Sequence, residues 1–212
     1  MFNKLPSTKG VLTQIVEVGL EVWLRSQCES INEVKLELTT TTLQLLSGRL
    51  SRAKLLAEKV TFKGLLLDKV ELTSSPISLK INLSNQNQKI SFREGFQVQG
   101  SISLLSQNIK DIILSPQWEW IGEWMANKLL ESKRLESLVI KNDILELRAQ
   151  ATDLEEPKVG SFIIEAISGT LMFKNICKEK TAMLPMDQAI HIDHAIIQDG
   201  ILHISVNAGV SP

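Results

Sequence analysis

The three histidines of the chain lie near its C-terminus, and imidazole is the commonest metal ligand among side chains, so a metal site is the first chemistry to consider. If Asp199-Gly200 forms a two-residue hairpin turn, His194 and His203 lie diagonally on one face of the hairpin. His191 and Asp193 then point to the other face. Two ligands without a third make an incomplete site, so we expect exposed polar strand positions and no bound metal.

Residue types that perform nucleophilic chemistry are present, but their spacing follows none of the common catalytic motifs. Cys28 and Cys177 form no C-x-x-C unit, and neither has a histidine close in sequence. The chain contains no G-x-S-x-G, G-x-x-x-x-G-K-[ST] or G-x-G-x-x-G sequence. The acidic residues Asp153, Glu155 and Glu156 fit a solvated turn better than a Ca²⁺ site. We therefore predict no catalytic residues, no cofactor and no enzymatic activity.

A group of tryptophans in the middle of the chain is the most informative local feature. On a helical wheel Trp118 and Ile121 share the face that points to the core, whereas Trp120 and Trp124 lie together about 120° away. A tryptophan pair outside the main apolar stripe suits a second packing layer, the mouth of a ligand cavity or a membrane interface, because indole combines a large apolar ring with an N–H donor. The sequence leaves these three interpretations open.

An N-terminal helix must position a second group of apolar residues. Ser7 and Thr8 predict its cap, and the pattern extends the helix over about 7–26. Its polar residues occupy a stripe only about 80° wide, and almost all of the remaining surface is apolar. Such a helix requires apolar contact on more than one side. Burial between a sheet and a second element explains this, and so does contact of part of the face with lipid or a partner.

Alternation of apolar and polar residues predicts strands over most of the chain. Hairpins are predicted to turn at Lys63-Gly64, at Asn142-Asp143 and at Asp199-Gly200. A bulge is expected near Asp68, because the apolar residues change parity there. The segments from Ser161 to Phe173 and from Gln188 to Val206 are expected to continue the sheet.

A helical segment of about 107–132 separates two groups of predicted strands, with a new helix starting at Ser115-Pro116. Together these elements predict an α+β fold. Its core is an elongated, strongly curved antiparallel sheet of long hairpins, with the N-terminal helix and the central helical segment packed on it. The length of 212 residues is that of one such domain, spanning residues 1–212.

Composition and charge exclude several classes of protein. Apolar residues make up 43% of the chain and charged residues 22%, which suits a packed core and not a disordered chain. The 23 Lys and Arg balance 24 Asp and Glu, so no nucleic-acid partner is expected. Gln14, Glu17 and Glu21 interrupt the N-terminal apolar stretch, which predicts neither a signal peptide nor a transmembrane helix. We expect a cytoplasmic protein, peripheral to a membrane.

The order of these segments resembles a known bacterial family. The similarity is carried by Trp23-Leu24-Arg25, by Leu46-Ser-Gly48-Arg-Leu50, by the run from Ala57 to Leu72, and by Leu104 to Ile109 followed by Ser115-Pro116. These segments are similar to the LmeA-like phospholipid-binding family, formerly a domain of unknown function, up to about residue 206. The resemblance implies phospholipid binding in envelope or membrane-lipid maintenance, without catalytic residues. Envelope members often carry an export signal, so here we expect a membrane-facing cytoplasmic role instead.

The leading hypothesis is non-enzymatic binding of phospholipid, or of a membrane surface, in an apolar groove. Acyl chains need a continuous apolar surface with few directed contacts. The predicted contact residues are Val18, Val22 and Trp23 on the first helix, and Trp120, Ile121 and Trp124 on the second. The alternative is a protein interaction module that docks a partner through the apolar face of the first helix. A hydrolase with a site assembled from distant residues is the least favoured function.

Overall fold

The computed structural model describes residues 10–82, 89–150 and 156–212, and it has the α+β fold that the sequence predicts. This part of the chain contains four helices: α1 (Val11–Gln27), α2 (Thr42–Leu46), α3 (Ser106–Leu114) and α4 (Glu119–Leu130). The first helix begins directly after Gly10, and the predicted caps Ser7 and Thr8 lie outside the described residues. The last two helices form the predicted central helical segment, but the second of them begins at Glu119 and not at the predicted Ser115-Pro116.

Antiparallel strands in the described residues form three sheets. The six-stranded sheet has the order β1 (Ser30–Thr39), β3 (Arg52–Phe62), β4 (Leu65–Ser74), β7 (Phe96–Leu105), β14 (Ile201–Val210) and β13 (Ile190–Gln198). The five-stranded sheet has the order β12 (Thr181–Met183), β11 (Thr170–Asn175), β10 (Val159–Ile167), β9 (Ile144–Ala149) and β8 (Leu135–Lys141). The smallest sheet contains β2 (Arg49–Leu50), β5 (Ile77–Asn82) and β6 (Lys89–Phe92). The predicted antiparallel architecture is confirmed, and its strands are distributed over three sheets rather than one.

Several hairpins turn through two residues that both have positive φ. The predicted turns at Lys63-Gly64, Asn142-Asp143 and Asp199-Gly200 all adopt this conformation, with φ of 48° and 74° in the first of them. Two central residues at positive φ form a type I′ turn, whose twist matches that of the flanking strands. A further turn of this kind, Ser168-Gly169, divides the region from Ser161 to Phe173 into β10 and β11. The segment lies in a sheet as predicted, and the turn within it was not predicted.

The β3–β4 hairpin changes its buried face part-way along. On β3 both Ala57 and Val60 are buried, and on β4 both Leu67 and Val70 are buried, so each strand changes parity between these positions. Lys59 lies at the change with a φ of 50°. The pairing register is the same on both sides of it. The predicted change of parity is confirmed, but a local backbone adjustment produces it and no extra residue is inserted.

Three hydrophobic clusters form the core of the part of the chain that the structure describes. The largest joins α3 and α4 to the five-stranded sheet, β13 and β14, and it contains the fully buried rings of Phe162 and Phe173. The second packs Val16 and Leu20 of α1 against Leu45 of α2, β2 and β5. The third lies along β1, β3, β4 and β7. The two helical regions of the chain therefore rest on different clusters.

The first helix lies against the outer edge of β1, where its side chains bind backbone groups of the edge strand. The Arg25 guanidinium donates a hydrogen bond to the Ile31 carbonyl at 3.0 Å, and the Leu38 N–H donates to the Glu17 carboxylate at 3.3 Å. Open strand edges invite pairing with further strands. These contacts protect the edge of the six-stranded sheet and fix which side of α1 meets it.

The start of α4 is tied to the tip of the β3–β4 hairpin. The Trp118 indole N–H donates a hydrogen bond to the Lys63 carbonyl at 2.7 Å. The side chain of Gln117 lies directly against Gly64, where a Cβ would meet its amide oxygen at 2.3 Å. Trp118 therefore connects the central helices to the six-stranded sheet, and it is a structural residue.

Candidate functional site

One side of α1 carries a row of apolar side chains that do not reach the core. Val11, Ile15, Val18 and Val22 follow each other at intervals of four, three and four residues, which places them within a sector about 60° wide. Their exposed fractions lie between 38% and 74%. The buried residues of α1 lie on the opposite side of the helix. One apolar side of α1 is packed, and another remains open.

The short helix α2 adds two exposed leucines beside α1. Thr41 and Gln44 form a capping box at its start, and Leu45 is buried in the cluster that α2 shares with α1. With Leu45 turned inward, Leu43 and Leu46 point outward and are 79% and 72% exposed. We group the exposed apolar residues of these two neighbouring helices under one name, the α1–α2 apolar face: Val11, Ile15, Val18, Val22, Leu43 and Leu46.

Exposed apolar side chains are concentrated on the α1–α2 apolar face. Six large apolar side chains of the described residues are more than 60% exposed, and five of them belong to this face. The sixth is Val159 on β10, which is 64% exposed. Single apolar residues on a surface need no explanation, whereas an apolar patch marks contact with a membrane, a ligand or another protein. The α1–α2 apolar face is therefore the leading candidate site.

The charged residues of α1 are few and are engaged within the chain. Glu17 and Arg25 bind backbone groups of β1, and Arg25 also donates to the Glu21 carboxylate at 3.0 Å. Neither α1 nor α2 contains a lysine. A basic border attracts anionic lipid headgroups. The two helices themselves therefore offer apolar contact and no cluster of positive charge.

The three contact residues predicted on the first helix have two kinds of surroundings. Val18 and Val22 are exposed on the α1–α2 apolar face. Trp23 is half-buried, and its ring meets Phe92 edge-on at 4.9 Å between centroids. Phe92 lies in turn 4.9 Å from the ring of Phe96. Val18 and Val22 thus have surface positions, and Trp23 anchors the helix to β6 and β7.

The three contact residues predicted on α4 are also divided. Trp120 is 42% exposed, whereas Ile121 and Trp124 pack against the largest hydrophobic cluster. The helical wheel places Trp120 and Trp124 together, but the Trp124 ring lies against Phe173 at 5.7 Å. This cluster is separate from the one beneath α1. The structure therefore does not bring the two predicted groups into one groove.

The sheet beside the end of α1 is thinly covered. In the cluster along β1, β3, β4 and β7, four residues are buried, whereas nine further apolar residues that pack against them are only partly buried. Cys28, at the C-terminal end of α1, belongs to this partly buried group. This strip is a second group of partly accessible apolar residues, near the C-terminal end of α1. Sequence reasoning missed it, although the alternation that begins at Val34 predicts β1, which is its first strand.

A cavity of about 360 Å³ near the start of α4 has a different character. Three apolar or small residues and five polar ones line it: Ile113, Gly122, Leu135, Glu119, Glu123, Arg134, Glu136 and Gln150. Arg134 lies 3.5 Å from the Glu119 carboxylate. Burying charged groups against acyl chains is unfavourable. This cavity is therefore no better a lipid site than the α1–α2 apolar face.

Two of the three histidines occupy the strand positions that the sequence predicts. His194 pairs with Ser205, and Ile196 pairs with His203, across the β13–β14 hairpin. The Nδ1 of His203 lies 3.1 Å from the Oγ of Ser103 on the neighbouring β7. In the three described ranges, no group of three His, Cys, Asp or Glu side chains could hold a metal ion. The predicted pairing of His194 and His203 is confirmed. A bulge between Ile192 and His194 shifts the register, so His191, which pairs with Asn207, lies on the same face as the other two histidines, and the prediction that it points to the other face is wrong.

The cysteines and the acidic segment add no reactive centre to the described residues. Cys28 and Cys177 are both free. Burial, together with the nearby charge of Glu29, raises the pKa of the Cys28 thiol, which makes it a poorer nucleophile at neutral pH. Asp153 and Glu155, considered above for Ca²⁺, lie outside the described residues.

None of the helices in the described ranges has the length and apolar character needed to cross a bilayer. Comparisons of the chain with known protein families, with curated proteins and with solved structures find no match. The resemblance to the LmeA-like family therefore stays a prediction, and function is argued from the α1–α2 apolar face itself.

Proposed function

We propose that the protein binds phospholipid without catalysing a reaction, by placing the α1–α2 apolar face on a membrane surface. The observation that carries this proposal is the concentration of the most exposed apolar side chains on α1 and α2. An interfacial helix lies in the membrane plane with its apolar side at the acyl boundary. The first helix suits this arrangement, because its other side is already fixed to the sheet. The proposal replaces the groove expected from the sequence with an exposed face.

Hydrophobic burial gives this face enough free energy for reversible binding. Complete burial of a Val, Ile or Leu side chain contributes about 1.5–3 kcal/mol. The six side chains are already partly shielded and a membrane interface covers them incompletely, so together they contribute on the order of 4–8 kcal/mol. This free energy corresponds to dissociation constants of about a micromolar to a millimolar. The protein is therefore expected to associate with membranes and leave them again.

The charges of α1 predict which lipids support binding. The helix contains two glutamates and one arginine, all engaged within the chain, so it offers no basic cluster to anionic headgroups. Vesicles of zwitterionic phosphatidylcholine should therefore bind the protein about as well as vesicles that contain an anionic lipid. Added salt should change binding little, because electrostatic attraction is the contribution that salt screens.

Co-sedimentation with phosphatidylcholine vesicles tests the proposal. The variant Val18→Ser/Val22→Ser should reduce the bound fraction severalfold, because it removes two highly exposed apolar side chains from the face. Val159→Ser/Ile163→Ser is the matched control, since it removes two exposed β-branched side chains from β10 instead. Wild-type binding by the first variant, or an equal loss in the control, contradicts the proposal.

Docking of a protein partner is the second candidate function for the same face. The 4-3-4 spacing of Val11, Ile15, Val18 and Val22 is that of the a and d positions in a coiled-coil seam. A helix with a complementary apolar row is the partner that this spacing favours. In that case the wild-type protein fails to bind phosphatidylcholine vesicles, and Val18→Ser/Val22→Ser abolishes a protein complex instead.

A further inference from the structure

We infer that a second copy of this chain covers the apolar row of α1 in solution, with the two α1 helices antiparallel. This inference goes beyond the proposed function, because it names what covers the face when no lipid is present. The inference is supported by the sequence positions of the four apolar residues in the α1 row. Val11 and Val22 are equidistant from a midpoint between residues 16 and 17, and Ile15 and Val18 are equidistant from the same point.

This symmetry of positions makes the row complementary to itself. When two such helices cross antiparallel about the midpoint, Val11 lies opposite the partner's Val22, and Ile15 lies opposite the partner's Val18. These pairs are the a-against-d layers of an antiparallel coiled coil. The same patch is used by both copies, so the contact closes after two chains and forms a dimer rather than a filament.

Polar residues beside the row favour the antiparallel direction. Gln14 and Glu21 lie on the same side of it, and antiparallel crossing brings Gln14 beside the partner's Glu21. The Gln14 amide can then donate to the carboxylate, which already accepts a hydrogen bond from Arg25 on one oxygen. The two Glu21 residues lie nine residues apart along the axis, about 13 Å. At physiological ionic strength this separation exceeds the Debye length of about 8 Å, so their repulsion is weak.

The area of the row predicts a weak dimer. Four partly exposed aliphatic side chains bury at most a few hundred Å² per copy, compared with about 800 Å² per partner in stable interfaces. A contact of this size dissociates readily, so a membrane can compete for the same side chains. This competition rests on the proposed function, whereas the pairing of the helices does not.

Disulfide trapping in the full chain tests both the pairing and its direction. In a Cys28→Ala/Cys177→Ser background, one sample carries Val11→Cys and a second sample carries Val22→Cys. Along one helix these positions are about 16 Å apart, so in an antiparallel dimer two identical variants cannot reach the Cα separation below about 7 Å that a disulfide needs. Under mild oxidation the mixture should give a linked heterodimer at a yield at least tenfold above that of either sample alone.

Several outcomes overturn the inference. If linked homodimers are as abundant as the heterodimer, the contact is parallel or random. If the variants have native circular dichroism and form no linked dimer at all, α1 does not pair. Sedimentation of the unmodified chain is the independent measurement. Its average mass should rise above 23.7 kDa with concentration, and Val18→Ser/Val22→Ser should remain monomeric. A mass independent of concentration contradicts pairing.

Phosphatidylcholine vesicles separate this inference from the proposed function. Loss of the linked heterodimer when vesicles are present supports pairing and competition together. A heterodimer that persists while the vesicles bind no protein supports pairing and contradicts phospholipid binding. Vesicle binding by a chain that forms no heterodimer overturns the pairing alone.

Discussion

Trp124→Ala should destabilise the fold far more than Trp120→Ala, although the two residues are one helical turn apart in α4. The Trp124 ring packs in the largest hydrophobic cluster, 5.7 Å from the fully buried ring of Phe173. Truncating a buried aromatic side chain to alanine costs about 3–5 kcal/mol, and the half-buried position of Trp124 lowers this to about 2–3 kcal/mol. Trp120 is 42% exposed, so its loss should cost about 1 kcal/mol.

Urea unfolding followed by far-ultraviolet circular dichroism measures both losses without relying on the fluorescence of the residues removed. If the dependence of the unfolding free energy on urea is the same in all variants, the midpoints convert directly into differences in stability. Vesicle co-sedimentation of the same proteins adds a second measurement, because Trp120→Ala should weaken binding if Trp120 contacts lipid as the sequence predicts. Equal losses of stability, or a larger loss for Trp120→Ala, would refute the packing argument.

Two further predictions concern backbone conformation and pH. Gly48 and Gly200 have φ of 74° and 75°, but an added Cβ would lie 2.3 Å from the Leu79 carbonyl oxygen at Gly48 and would meet nothing within 4 Å at Gly200. In urea unfolding, Gly200→Ala should therefore lower the free energy of unfolding by about 1–2 kcal/mol, and Gly48→Ala should lower it by at least about 2 kcal/mol more. Similar losses in the two variants would contradict the predicted clash at Gly48. A hydrogen bond from Lys180 at 2.8 Å, together with the charge of Lys180, lowers the pKa of the Glu131 carboxyl. The pair therefore stabilises the fold fully at pH values above the ordinary glutamate pKa. This contribution is lost as the pH falls through the lowered pKa. An NMR titration should show the Glu131 pKa rising towards its ordinary value in Lys180→Met, and an unchanged pKa would exclude Lys180 as the cause.

The hairpins could be predicted from the sequence because the signals for a two-residue turn are local. Lys63-Gly64, Asn142-Asp143 and Asp199-Gly200 each place residues that tolerate positive φ between alternating apolar runs, and all three turn as expected. Ser168-Gly169 carries the same kind of signal, and a Ser-Gly pair is a recognised turn marker. This turn was not predicted, because apolar runs lie on both sides of it, at 162–164 and at 171–173, and both predict strand.

The identity of the exposed face could be predicted only in part. The excess of apolar residues on the first helix is visible in the sequence, but the side that is packed depends on contacts with distant residues. Glu17 and Arg25 bind the backbone of β1, and these bonds turn Val18 and Val22 outward. The separation of Trp120 from Trp124 has the same origin, because the partner of Trp124 is a ring on β11.

The measurement that tests phospholipid binding most directly is whether residue 18 enters the lipid. In the Cys28→Ala/Cys177→Ser background, Val18→Cys carries an environment-sensitive fluorophore, and Val159→Cys carries the same label as a control. Val18 and Val159 are 62% and 64% exposed, so the two labels start from similar contact with water. On adding phosphatidylcholine vesicles, we expect a blue shift and a rise in intensity at position 18 and no change at position 159. No change at position 18, or an equal change at both positions, would contradict membrane binding through the α1–α2 apolar face.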